Sequence, residues 1–288
     1  MKLSLLYQIE CQENSYSKCK KKKGEIRMFE TSEIKYVKGK NVDYIQFKRL
    51  LKYGIKHAYT LRGENVDFSK YGKESEESYK KLCEELELDP KNLCIPIQTH
   101  TEVVKCIGED KEDVDFENVD GLITNRKEKI LISRNADCIL FLLYDPQKKV
   151  IANVHSGWRG TFQKIVEKAV VKMRDNYGSN PEDIICCICP SIRKCHFEVD
   201  EDVKELCEGI FGFTNELDSF IEKTDTIDGK QKYKIDTVMI NKILLKDLGL
   251  KEKNVIDSNL CSVCNNDKFY SYRKEGKNAK RDVALITL

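Results

Sequence analysis

The sequence predicts an α+β fold: a mixed β-sheet with segregated helices, carried by one uninterrupted domain. Two observations lead there. Apolar runs of strand length and stripes of helical period occur without the strict alternation that a doubly wound parallel sheet requires. The chain also shows no internal repeat and no linker that would cut it in two.

Ser133 to Gly160 organises the rest. Two apolar strands, Cys138 to Tyr144 and Lys149 to Val154, flank the turn signal Asp145-Pro146-Gln147-Lys148. Pairing Asp145 with Lys148 sets Cys138 opposite His155 on one face, with β-carbons roughly 5 Å apart. Pro146 suits type I or II turns better than the primed ones, so a bulge is allowed to move this register by one.

The remaining elements follow in order. Residues 1–27 form an N-terminal extension, polar and ending in a lysine run, and the domain spans 28–288. A solvated arm is the expected role of the extension, a nucleic-acid contact the sharper alternative, and translation starting at Met28 a further possibility. Gly54 to Gly63 is extended and ends in Arg62-Gly63. A helix carries Tyr79, Leu82, Cys83 and Leu86 on one stripe and stops before Asp89-Pro90. Cys94 to His100 and Glu102 to Ile107 are extended, Asp120-Gly121 turns into a short strand, and Lys129 to Ser133 forms another. Past Gly160, Phe162, Ile165, Val166, Ala169, Val170 and Met173 keep helical spacing up to Gly178, a C-cap. Ile184 to Cys189 is a buried strand, Asp200 to Gly209 and Asp236 to Gly249 are helices, and Phe269 to Arg273 pairs as a strand with Val283 to Thr287.

Composition excludes several classes. Lys and Arg total 50 against 48 acidic residues, a net +2, so no global field points to nucleic acid or membrane, and no apolar run is long enough to span a bilayer. The thirteen cysteines are odd in number and no export signal precedes them, so the thiols are read as reduced and the compartment as cytoplasmic.

Only four histidines exist, His57, His100, His155 and His196. His100 ends one extended piece, His155 sits in a Gly-containing turn after a buried strand, and Cys138 faces it. Two imidazoles and a thiolate make a three-ligand tetrahedral set with an open fourth position, the pattern of catalytic zinc, and copper accepts similar donors. The intervals of 38 and 17 residues match no zinc-finger spacing. Cys138 with His155 as base equally suits a cysteine hydrolase or deamidase, and a purely structural clamp is the third alternative. A cluster of several coppers needs more imidazoles than the chain holds.

Arg62 and Arg159 stand beside glycines, where a guanidinium and backbone can converge on an anion. Asp137 can orient a neighbour, accept a proton or cap a turn. Cys261-Ser262-Val263-Cys264 is a C-x-x-C with no second pair at finger spacing, and it is read as structural, as are Cys186, Cys187 and Cys189.

Together, Gln98-Thr99-His100, Ala136-Asp137-Cys138, His155-Ser156-Gly157-Trp158-Arg159-Gly160, Phe197-Glu198-Val199 and Phe269-Tyr270-Ser271-Tyr272-Arg273 occur in the order of the laccase-domain family, which this chain resembles from about Met28 to Leu288. That family was first labelled multicopper polyphenol oxidase and is now described as purine nucleoside phosphorylase. The resemblance implies a single α+β domain of layered mixed β-sheets and a zinc ion on His100, Cys138 and His155. It also implies phosphorolysis of adenosine, inosine and methylthioadenosine, with adenosine deamination, and puts Arg62 near the pocket. Purine nucleosides and phosphate are the implied partners. The chain departs from the family pattern at Thr101 and Glu64, where glycines are expected, and at Lys274 and Ala279-Lys280-Arg281.

Overall fold

The structure, a computed structural model, describes residues 30–69, 73–108, 115–212 and 216–288. The N-terminal extension lies outside these residues.

In chain order the strands and helices are β1 (Ile34–Val37), β2 (Tyr44–Phe47), α1 (Lys48–Leu51), β3 (Lys56–Thr60), α2 (Lys73–Glu85), β4 (Leu93–Cys94), β5 (Val104–Cys106), β6 (Gly121–Thr124), β7 (Ile130–Asn135), β8 (Ile139–Asp145) and β9 (Val150–Ser156). The second half adds α3 (Trp158–Phe162), α4 (Ile165–Tyr177), β10 (Ile185–Ile188), β11 (Glu198–Val199), α5 (Glu201–Phe211), α6 (Leu217–Phe220), β12 (Ile221–Ile227), β13 (Lys230–Ile235), α7 (Thr237–Asp247), β14 (Val255–Asp257), α8 (Tyr272–Glu275) and β15 (Asp282–Thr287).

Two six-stranded mixed sheets, ordered β1-β2-β3-β15-β7-β4 and β14-β10-β8-β9-β6-β5, stack face to face, and β11-β13-β12 form a small third sheet. The stacking is written in the period of two along each strand. On β8, Leu140, Leu142 and Tyr144 enter the inter-sheet core with Leu131, Ala284 and Ile286 of the facing sheet. The alternate residues Ile139, Phe141 and Leu143 pack outward against Ile165, Val166, Ala169, Val170 and Met173 of α4. The other sheet is covered on its outer face by Tyr79, Leu82 and Leu86 of α2. Strands buried on both faces read as continuous apolar runs, which is why β8 and β9 stand out in the sequence. One polar side chain pins the sheets together: Asn153 of β9 donates to Leu131 O and Ala284 O, both at 2.9 Å, and accepts from Ser133. Unpaired, that buried amide would cost about 1–3 kcal/mol.

The α+β class and the layered mixed sheets are as expected, and Gly178 caps α4 at φ 68°. Three local expectations are corrected. The central hairpin pairs Asp145 with Val150 and Leu140 with His155, so Cys138 falls level with Gly157 and not with His155. The cause is a four-residue loop, 146–149, in which Lys149 takes φ 54°. A slip of two keeps every side chain on its expected face, so thiol and imidazole remain diagonal neighbours. Phe269 to Arg273 is not a strand. Phe269 and Tyr270 are buried, but Tyr272 is exposed and the backbone turns into α8, whose cap Ser271 accepts from Lys274 N. The segment after Gly157 is two helices, broken at Lys164 with φ 59°.

Candidate metal centre and cavity

Two loops and strand β9 bring the predicted trio together at one end of the second sheet. His100 sits in the left-handed region at φ 65°, in a loop tied to β7 by Gln98, whose amide exchanges hydrogen bonds with Arg134 N and O at 2.8 and 2.9 Å. Cys138 precedes β8 in a turn braced by Asn135, which donates to Cys138 O at 2.6 Å. His155 projects from β9. The ligating atoms of His100, Cys138 and His155 all lie within 4.8 Å of one another, with His100 Nε2 at 3.7 Å from the Cys138 sulfur.

Asp120, whose sequence context signals only a turn, is the hub of this arrangement. It is 0% exposed. Its Oδ1 accepts from His155 Nδ1 at 2.7 Å and from His100 N at 3.2 Å, and its Oδ2 accepts from Thr101 N at 2.7 Å. The Thr101 hydroxyl also lies 2.7 Å from Oδ2, so the residue that departs from the family's glycine adds a contact to the hub. Occupation of Nδ1 leaves Nε2 as the His155 nitrogen for a ligand, the carboxylate–histidine arrangement that orients metal-binding imidazoles.

Gly157 completes the cradle. A Cβ there would meet His100 Cδ2 at 2.6 Å and the Cys138 sulfur at 3.2 Å, so no larger residue fits without displacing a donor. Burial alone would raise the Cys138 thiol, but the charge and hydrogen bonds of His155 and His100 outweigh it and bring its pKa down to about 6. For His155, burial pulls the pKa down, and Cys138 and Asp120 push it up to about 9. Two imidazole nitrogens and a sulfur poised as thiolate, with a carboxylate behind one ring, fit a single divalent cation.

The trio opens into a cavity of about 390 Å³, in the size range of small-molecule sites. Its wall carries Arg134, Arg273 and Arg281, the rings of Trp158, Phe197 and Tyr272, and apolar Ile139 and Ile192. Asp137 is the one carboxylate among the described lining residues. It takes φ 99°, a rare conformation for a residue with a Cβ. Ser262 Oγ donates to its Oδ1 at 2.5 Å and Arg273 N to its Oδ2 at 2.7 Å, which fixes the turn that presents Cys138.

Two residues named from the sequence stand apart from the wall. Arg62 pairs with Glu275 at 2.5 Å and lies over the Tyr270 ring at 4.3 Å. Arg159 is exposed and stacks on Trp158, also at 4.3 Å. The arginines that do face the cavity come from β7, α8 and the residue just before β15, and Arg281 ends the Ala279-Lys280-Arg281 stretch noted in the sequence as a departure from the family pattern. Among the histidines, His57 is buried away from the cavity, accepting from Phe47 N at 2.7 Å with its other ring nitrogen 2.9 Å from Ile55 O.

Fold and site together define an α+β sandwich with a three-donor Cys/His centre open to a basic, aromatic cavity. The chain belongs to the family described as multi-copper polyphenol oxidoreductase laccase, whose model matches residues 66–288. A purine nucleoside phosphorylase of Bacteroides thetaiotaomicron is 32% identical over 214 residues, covering 72% of this chain and 77% of the relative. The adenosine deaminase RL5 of an unknown prokaryotic organism is 31% identical over 207 residues, covering 69% and 76%. Among solved structures, the hypothetical protein YfiH of Bacillus licheniformis superposes with a TM-score of 0.77 at 22% identity, covering 88% of this chain and 98% of that one. YlmD of Geobacillus stearothermophilus superposes at 0.74 and 20% identity, covering 88% and 97%. At those identities the structural likeness speaks for the fold alone.

Proposed function

We propose that the protein is a purine nucleoside phosphorylase that cleaves adenosine, inosine and methylthioadenosine with phosphate and also deaminates adenosine, with Zn2+ held by His100, Cys138 and His155. The observation that carries this is the convergence of those three donors within 4.8 Å at the cavity whose wall holds three arginines. The names of the relatives supply the substrate class. Two imidazoles and one thiolate with a position left open favour zinc, and copper accepts the same donors. When bound, the ion supplies Lewis acidity at the cavity floor.

The chain's own groups account for the rest. Asp120 fixes the His155 ring. Arg134, Arg273 and Arg281 make the wall basic, and Asp137, the one carboxylate among the described lining residues, is engaged by Ser262 and Arg273, so an anion such as phosphate is favoured there. As the glycosidic C–N bond loosens, positive charge grows on the ribose and phosphate attacks the anomeric carbon. Guanidinium groups that hold the phosphate in line lower that barrier by positioning and charge. Trp158, Phe197 and Tyr272 offer flat apolar surfaces for the purine. Arg62, expected at the anion, acts in this scheme through its ion pair with Glu275, bracing α8, which carries Arg273. Cytoplasmic placement accords with described cysteines that form no disulfide.

A second reading rests on the Cys138–His155 pair, since a thiol lowered to about 6 beside a raised imidazole is the state of a cysteine nucleophile. It leaves His100 without a role. The multicopper oxidase reading fails on donors: His57 is bound to backbone groups on both sides and His196 lies among cysteines, so two imidazoles remain for the cavity.

Incubating the purified protein with adenosine, with and without phosphate, and separating the products tests the proposal. Adenine and ribose 1-phosphate are expected only with phosphate, inosine in either case, and neither from Cys138→Ala. Ribose 1-phosphate formed by Cys138→Ala at the native rate contradicts the site. Absence of free base under every condition favours the hydrolase.

A further inference from the structure

We propose that Cys195, His196, Cys261 and Cys264 bind a second, fully protein-ligated Zn2+ that clamps the loop before β11 to the loop before α8. The C-x-x-C expected to be structural finds its partners 66 residues earlier, and all four ligating atoms lie within 4.8 Å of one another.

The spacing is that of a tetrahedron awaiting its centre. Zinc bonds of about 2.3 Å to sulfur and 2.05 Å to nitrogen give tetrahedral edges of about 3.8 Å between sulfurs and about 3.6 Å between sulfur and nitrogen. The Cys195 sulfur lies 3.6 Å from that of Cys261 and 3.8 Å from that of Cys264. His196 Nδ1 lies 3.2, 3.7 and 3.5 Å from the sulfurs of Cys195, Cys261 and Cys264.

Packing explains only part of the cluster: Cys261 is buried in an apolar cluster that Cys195 joins, but neither Cys264 nor His196 belongs to it. The thiols of Cys186 and Cys187 on β10 and of Cys189 just after it are fully buried in apolar surroundings, whereas Cys264 is exposed and Cys195 partly so. A disulfide does not explain it either: bonded sulfurs are about 2.05 Å apart, and one bond would leave a thiol and the imidazole stranded. Four donors without an open position mark a structural site, in contrast to the three-donor centre.

The clamp bears on the cavity. The two loops already touch through a parallel bridge between Ser191 and Cys261. The His196 carbonyl accepts from Arg273 Nη1 at 2.7 Å, and Ser262, inside the C-x-x-C, donates to Asp137. Ile192, Phe197 and Arg273 line the cavity, so fixing the loops fixes that wall.

Zinc stoichiometry and thiol mapping on the full chain test this independently of nucleoside chemistry. Protein purified in reductant with zinc supplied, then desalted, is expected to hold two equivalents, one in His100→Ala and one in Cys264→Ser. In the native protein, iodoacetamide is expected to spare Cys195, Cys261 and Cys264 until a chelator is added, and then to label all three, a readout that needs no variant to fold. A single equivalent that His100→Ala removes and Cys264→Ser retains overturns the proposal. So does equal labelling of the three cysteines before and after chelation, or a Cys195–Cys261 disulfide in protein purified under reductant. Loss of phosphorolysis with both zinc equivalents intact would instead count against the phosphorylase reading.

Discussion

His155 Nδ1 lies 2.7 Å from Oδ1 of Asp120, a carboxylate with no exposure to solvent. The same carboxylate receives the backbone N–H of His100, so one buried side chain sets the ring of one donor and the main chain of another. Asp120→Asn keeps the shape but weakens both functions. A fall in metal affinity of about 10–100-fold is expected, measured by competition with a chromogenic chelator. Unchanged affinity would remove Asp120 from its role as orienter.

Gly157→Ala places a methyl 2.6 Å from a ring carbon of His100. His100 is on an exposed loop and can swing out, so the fold survives at a cost of about 1–3 kcal/mol while one donor is lost. Thermal unfolding is expected to shift modestly, and the metal at this centre to dissociate readily on desalting. Full retention of that metal would show that the donors do not depend on the cradle.

In metal-free protein Cys138 should react as a thiolate well below the ordinary range of thiols. With its pKa held down to about 6 by His155 and His100, its alkylation rate should rise through a midpoint near pH 6, not near the usual value of about 8.5. His155→Ala should move that midpoint up. A midpoint unchanged by that substitution would break the pairing.

His57 gives the fold an acid dependence. Burial holds its pKa down at about 4, and protonation would also forfeit the Phe47 N–H that its Nε2 accepts, while Nδ1 donates to Ile55 O in either state. Between pH 6.5 and 4 the unfolded chain therefore binds a proton that the folded chain refuses, and stability falls as pH falls through that window. From pH 7 to pH 5 the loss is about 2 kcal/mol from this group. Urea unfolding of the native protein and His57→Gln at both pH values isolates it, since the variant should be less stable at pH 7 yet lose part of the slope. An equal slope in both proteins would count against a neutral buried imidazole.

Much of this was legible in the sequence because the physics is local. β8 and β9 are unbroken apolar runs, α4 keeps helical period up to its left-handed glycine, and four histidines leave few ways to build a metal site. What escaped is set by tertiary context. The register depended on Lys149 adopting φ 54°, which Pro146 does not announce. The β12–β13 hairpin carries no apolar alternation because its exposed strands are charged, although Asp228-Gly229, at φ 50° and 74°, is a turn signal. Asp120 precedes a glycine and read as a turn, because nothing local reveals that its carboxylate is buried beneath two distant loops. The same limit hid the partners of the C-x-x-C, which topology brings together across 66 residues.

The central claim is tested most directly by ribose 1-phosphate formation from inosine and phosphate, measured side by side for the native protein and His100→Ala. His100 is the donor that a metal-centred phosphorylase needs and a Cys138–His155 hydrolase does not. The native protein should form ribose 1-phosphate and the variant should lose at least about 100-fold in rate, about 2.7 kcal/mol of transition-state stabilisation. A His100→Ala variant that turns over inosine at the native rate would contradict the account.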